Sequence, residues 1–167
     1  MDLSPEGDQP LHDDEGRIHA VVMGETYDDK PLRERCIREF GYNFSGHSDS
    51  ELVVALYKHY GAPEFLDHLR GEYSFVIYDE RSGEVIAARD RFGIKPLFWT
   101  VVDDHLLLAP EIKAFLPLGW KPEWDVDNIV RNSCFVGSET WFKGINRVSS
   151  IETTLQTLAR LTSYDVS

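Results

Sequence analysis

Apolar residues cluster over 17–23 (Arg-Ile-His-Ala-Val-Val-Met), which predicts a strand that Gly24 closes. A helical pattern follows over 30–40, with Pro31 suited to the first turn and Gly41 to the stop. Residues 43–46 read as a short extended piece. The next helix is predicted over 49–60, where Leu52, Val53, Leu56 and Tyr60 share one face. Ser48 is its natural N-cap, Glu51 three residues later completes a capping box, and Gly61 ends it. Residues 63–69 form another short helix in this reading. Alternating runs at 73–78 and 85–88, split by Asp79-Glu80-Arg81-Ser82-Gly83, predict a hairpin. The pattern repeats at 97–102 and 106–109 around Asp103-Asp104. Short helices are expected over 111–115 and 126–135, and the clearest late helix over 151–161. Residues 3–15, rich in Pro, Gly and Asp, read as loop.

Antiparallel hairpins with amphipathic helices give an α+β class, helices packed on sheet faces. At 167 residues the expectation is one domain spanning 1–167, large enough for a layered core. No apolar run has membrane-spanning length, and Met1-Asp2-Leu3-Ser4-Pro5 lacks the basic and apolar regions of a signal peptide, so a cytoplasmic location is expected. Net charge is −12, with 29 acidic against 17 basic residues, a field that repels phosphate backbones and argues against nucleic-acid partners. The histidines His12, His19, His59, His68 and His105 show no metal-ligand spacing, and Gly24, Gly41, Gly46, Gly61 and Gly71 are scattered turn residues rather than a nucleotide loop. Neither a metal nor another cofactor is expected. Cys36 and Cys134 sit alone at helical positions and read as structural thiols.

One charged stretch departs from ordinary hairpin chemistry. Ala88-Arg89-Asp90-Arg91-Phe92-Gly93-Ile94-Lys95-Pro96-Leu97 carries a strand into a turn and out through a second strand. It resembles the corresponding segment of the class II glutamine amidotransferase domain of asparagine synthetases. Gly7-Asp8-Gln9-Pro10-Leu11, Gly24-Glu25-Thr26-Tyr27, Ser48-Asp49-Ser50-Glu51 and Ala109-Pro110-Glu111-Ile112-Lys113-Ala114 match in the same order. The resemblance is strongest over 3–147, and 148–167 diverges as a C-terminal helix and tail. It implies the four-layer αββα sandwich of N-terminal-nucleophile hydrolases, with the first strands missing.

In that family a terminal cysteine attacks the glutamine amide and its own α-amine is the base. Here Met1-Asp2-Leu3 aligns beyond that point, so the resemblance implies a truncated domain lacking both the nucleophile and the glutamine-binding arginine before it. Ser4, Cys36 and Cys134 are poor substitutes. The family's Asn-Gly-Glu is replaced by Met23-Gly24-Glu25, and methionine cannot donate the oxyanion-hole hydrogen bond of the asparagine. The chain is therefore expected to be inactive as a glutaminase. What the resemblance leaves is part of an amino-acid pocket formed by Met23, Gly24, Glu25 and Asp49. Carboxylates kept without the arginine would favour an amine. Ordinary structural roles compete: helix-terminus stabilisation for Asp49, a solvated loop acid for Glu25. An alternative is a different reaction in the same cleft, using Glu25, Asp49 and His47 as acid or base. A third is a fragment of a longer, active asparagine synthetase-like protein. No Ser-Gly-Gly-x-Asp loop for ATP-dependent amide synthesis occurs. Arg89, Asp90, Arg91 and Lys95 are expected to form an internal ion network. Sheet edges left open by the missing strands would suit a homodimer or a partner chain.

Overall fold

Hydrophobic alternation in this chain builds two antiparallel sheets stacked face to face. The computed structural model describes residues 5–131, 137–149 and 156–157. In chain order the elements are a 3-10 helix (Pro5–Gly7), β1 (Leu11–His12), β2 (Ile18–Thr26), α1 (Asp29–Phe40), α2 (Glu51–Tyr60), a 3-10 helix (Glu64–His68), β3 (Gly71–Asp79), β4 (Glu84–Arg89), β5 (Phe98–Val102), β6 (His105–Ala109), a 3-10 helix (Ile112–Leu118), α3 (Val126–Arg131), β7 (Asn146–Arg147) and β8 (Gln156–Thr157). Among the described residues the first sheet runs β1-β2-β3-β4-β8 and the second β6-β5-β7.

Strand β2 pairs with β3 along its whole length, from Ile18 opposite Asp79 to Thr26 opposite Gly71. One face of this sheet presents Ile18, Ala20, Val22, Phe75, Ile77, Ile86 and Ala88 to α1 and α2, and these side chains are buried with Leu52, Val53 and Leu56. That burial is the principal core. The opposite face meets the second sheet through Ala87, Leu97 and Val148, with Val76, Trp99 and Leu108 against them. The outer face of the second sheet is covered by Phe115 of the Ile112–Leu118 segment, with Ala109 and Ile145. The layers are thus helix, sheet, sheet and a 3-10 segment. Closure between the sheets is incomplete: Val21 is 54% and Met23 41% exposed on one intersheet face, and Val101 is 53% exposed on the other.

Several sequence expectations change. Gly24 does not end β2; the strand continues through it to Thr26. Helix α2 starts at Glu51, and Ser48 is not its cap. The capping box fails because Glu51 turns back to Ser45 and Gly46, accepting their N–H groups at 2.8 and 3.2 Å. Ser48 Oγ instead accepts from Ser50 N at 3.3 Å. Of the helix expected over 151–161, the described part, Gln156–Thr157, is a strand paired with Ala87 and Ile86 of β4. Cys134 and the end of the 126–135 helix lie outside the described residues.

Candidate functional site

The end of β2 is shaped by two glycines. Gly24 has φ +125°, and a Cβ there would lie 1.9 Å from the Glu72 carbonyl oxygen. Gly71, across the pair, has φ +154°, and its Cβ would lie 2.1 Å from the Glu25 carbonyl oxygen. Neither position admits a side chain. Between them Glu25 stands directly opposite Glu72, as Met23 stands opposite Ser74. Cross-strand partners share a face, so Met23, Ser74, Glu25 and Glu72 all turn toward the second sheet.

Like charges directly opposite on one sheet face repel. Glu72 is relieved by the Tyr27 hydroxyl, which donates to it at 2.8 Å, and by the Lys95 ammonium at 3.8 Å. The hydrogen bond to Glu72 raises the Tyr27 phenol above its usual range. Glu25 is exposed and has no hydrogen bond or ion pair among the described residues.

Asp49 reaches the same strand end from the other side of the sheet. Its Oδ2 accepts from Thr26 N at 2.7 Å, which brings it within one residue of Glu25 along the backbone and commits that oxygen to the strand. The segment carrying Asp49 is held by Glu51 and by Arg33. The Arg33 guanidinium donates to Gly46 O at 2.8 Å and Ser48 O at 2.7 Å, and lies 3.9 Å over the Phe44 ring. His47 is exposed between those two anchors. The structure therefore groups Glu25, Gly24 and Asp49 at one strand end, with His47 on the loop that supplies Asp49.

Met23 lines an intersheet cavity of about 270 Å³ together with Val21, Ser74, Val76, Leu97 and Leu108. The lining is apolar apart from Ser74, and Met23 adds a thioether to it.

The charged turn after β4 is built differently from the expected ion network. Buried Asp90 accepts three backbone N–H groups, from Phe92 and Ile94 at 3.0 Å and Lys95 at 2.9 Å. Buried Arg89 donates to the carbonyls of Gly93 and, at 3.4 Å, Val148. Lys95 leaves this turn for Glu72. No ion pair joins these four residues among the described contacts; the buried pair, Arg89 and Asp90, takes backbone groups as partners instead.

Cys36 is buried and burial pushes its thiol up, which suits packing rather than attack. Asp13, Asp14 and Glu15 bring carboxylate oxygens within 4.8 Å of one another, a spacing that would suit a cation. The Lys58 ammonium fills that place, 2.9 Å from Asp13 and Glu15 and in contact with Asp14.

Sequence reasoning missed Glu72 and Ser74, and it named Tyr27 only within a family motif and Lys95 only in an ion network, not beside Glu72. Gly71 carried the available signal, a glycine opening a strand, but only the β2–β3 register reveals that it brackets Glu25.

A two-sheet sandwich with α1 and α2 packed outside is the architecture of the N-terminal-nucleophile glutamine amidotransferases. Its solved neighbours include glutamine phosphoribosylpyrophosphate amidotransferase from B. subtilis complexed with ADP and GMP. That superposition has a TM-score of 0.60 at 26% identity, covering 71% of this chain and 28% of that one. The glutamine amidotransferase domain family model matches residues 1–117, and the chain belongs to that family. Its relatives include amidase chry2 of Gibberella zeae and amidase chyE of Penicillium rubens, each 51% identical over 148 residues and 89% of this chain. Asparagine synthetase B [glutamine-hydrolyzing] of Escherichia coli is 39% identical over 116 residues, 67% of this chain. The chain spans 22% of the length of the two amidases and 20% of that synthetase.

Proposed function

We propose that this domain binds an amine-bearing small molecule at the β2 end and does not hydrolyse glutamine. The observation that carries this reading is Met23. It replaces the asparagine of the Asn-Gly-Glu motif that this stretch resembles, faces the intersheet cavity and has nothing to offer a developing oxyanion. Glu25, exposed and without a paired cation, supports a cationic ligand group there. Asp49 serves the same end by fixing Thr26 and so the direction of Glu25.

The test is glutamate release from glutamine by the protein and by its Met23→Asn variant. The expected result is no release above background from the unaltered protein. Where a nucleophile is supplied elsewhere in the protein, Met23→Asn raises the rate by about 10²-fold, the usual worth of one oxyanion donor. Turnover by the unaltered protein at an ordinary enzymatic rate, on the order of 1 s⁻¹ or faster, would overturn the reading.

A second reading is hydrolysis of a different amide, and 51% identity to two proteins named as amidases favours it. In that case Glu25, Asp49 and His47 would supply acid or base. Ammonia release from a panel of amides other than glutamine separates the two.

A further inference from the structure

A second cleft opens where the connection from β2 to α1 meets the segment leading into β3. Tyr27 N donates to Arg70 O at 2.7 Å and ties the two segments together. The cleft, about 230 Å³, brings Arg35, His68 and Arg70 to one place against Pro31, Leu32 and Tyr27. Leu32 and Arg35, three apart, and Pro31 and Arg35, four apart, share one face of α1.

Three basic side chains in one cleft run against the charge of this chain, in which 29 acids face 17 bases. With carboxylates in such excess, an exposed guanidinium has many possible partners. Arg70 is exposed, and its side chain has no hydrogen bond or ion pair among the described residues. Arg35 donates from Nε to Glu39 at 3.0 Å and from Nη2 to the Tyr60 hydroxyl, and no contact among the described residues uses its Nη1. Glu39 also accepts from Arg38 at 2.9 Å, so one carboxylate serves two guanidiniums and the trio keeps a net positive charge. The His68 ring stacks on Tyr60 with centroids 4.0 Å apart, and its nitrogens make no hydrogen bond among the described residues. One carboxylate lines the cleft as well, that of Asp28, and it caps no N–H of α1. Two guanidiniums against one acid leave the cleft suited to an anion.

The coplanar donors of a guanidinium match the two oxygens of a carboxylate. The space exceeds the roughly 150 Å³ that encloses benzene, and Leu32, Pro31 and the Tyr27 ring give it apolar walls.

We propose that this cleft binds a small aromatic monocarboxylate, its carboxylate at Arg70 and Arg35 Nη1 and its ring against Leu32, Pro31 and Tyr27. Asp28 opposes the anion and moderates its affinity. The site is separate from the β2 end, where Glu25 turns toward the second sheet, and it stands independently of the amine-binding reading.

Amide chemical shifts of the nitrogen-15-labelled protein, titrated with benzoate, benzamide and acetate, test it. Benzoate is expected to shift Leu32, His68 and Arg70 with a Kd on the order of 1 mM, a range open to so small a ligand. Benzamide lacks the charge and acetate the ring, and each should bind at least about tenfold more weakly. Arg70→Gln should weaken benzoate about tenfold, and an unchanged melting temperature verifies the fold, since this side chain has no partner to lose. Asp28→Asn should strengthen benzoate about threefold, and asparagine tolerates the left-handed φ of 57° at that position. Equal binding of benzamide overturns the proposal, as does benzoate affinity that ignores both substitutions. Benzoate shifts centred on Met23 and Glu25 instead of the cleft also overturn it, as does silence from benzoate up to about 10 mM.

Discussion

Gly24 and Asp13 show how much a single position in this chain is made to carry. At Gly24 both the left-handed φ and the contact with the Glu72 carbonyl forbid a side chain. Gly24→Ala is therefore expected to cost about 2–4 kcal/mol, read as a lower denaturant midpoint with an unchanged slope. Asp13 is buried beneath the β1–β2 turn. Burial alone would raise its carboxyl, but the Ile18 N–H, the Lys58 ammonium and the Arg17 N–H outweigh it and hold it at about 2. Because the folded value lies below the ordinary 3.8, the unfolded chain binds the proton more readily. The contribution, about 2 kcal/mol, is present above pH 4 and disappears as pH falls from about 4 to 2. Replacing Lys58 with Met should destabilise the protein at pH 7 by about 2 kcal/mol and flatten that acid limb, measured by urea unfolding at several pH values. Metal titration should leave the wild-type melting temperature unchanged, since Lys58 already occupies the acidic cluster.

Among the elements, local chemistry was legible where its partners are local. Pro31 and Gly41 bracket α1 as their backbone preferences dictate, and Gly41 takes the left-handed cap. The Asp79–Gly83 turn joins β3 to β4 in the expected hairpin. What escaped was set by distant partners. Glu51 follows a capping-box spacing, yet its carboxylate serves the loop before α2. Gly24 has the look of a strand stop, yet full pairing with β3 carries the strand on to Thr26. Residues 156 and 157 suit a helix by pattern, and pairing with β4 makes them a strand. Glu51→Ala should leave two backbone donors unpaired, costing about 2–3 kcal/mol. Amide exchange at Ser45 and Gly46 should accelerate more than at Leu56 in the middle of α2. Uniform acceleration would show that Glu51 stabilises the helix rather than the loop presenting Asp49.

For the whole molecule, ordered short motifs revealed the fold more fully than periodicity did. Hairpins and helices alone reach α+β; the order from Gly24-Glu25 through Asp49 to the Arg89–Pro96 turn narrows it to one sandwich. The strand-end residues Met23, Gly24 and Glu25 were readable for the same reason. Glu72, Ser74 and Lys95 were not, because their place depends on the β2–β3 register and on the Asp90 turn aiming Lys95 at Glu72. The net charge of −12 accords with a cationic ligand and adds to its attraction at low salt. Among the described residues no helix is long and apolar enough to cross a membrane. The proposed recognition of an amine, and not of glutamine, at the β2 end is checked by thermal unfolding of the protein with millimolar primary amines and, in parallel, with glutamine. A raised melting temperature is expected with amines, lost in Glu25→Gln, and none with glutamine. Stabilisation by glutamine with no response to amines would contradict it.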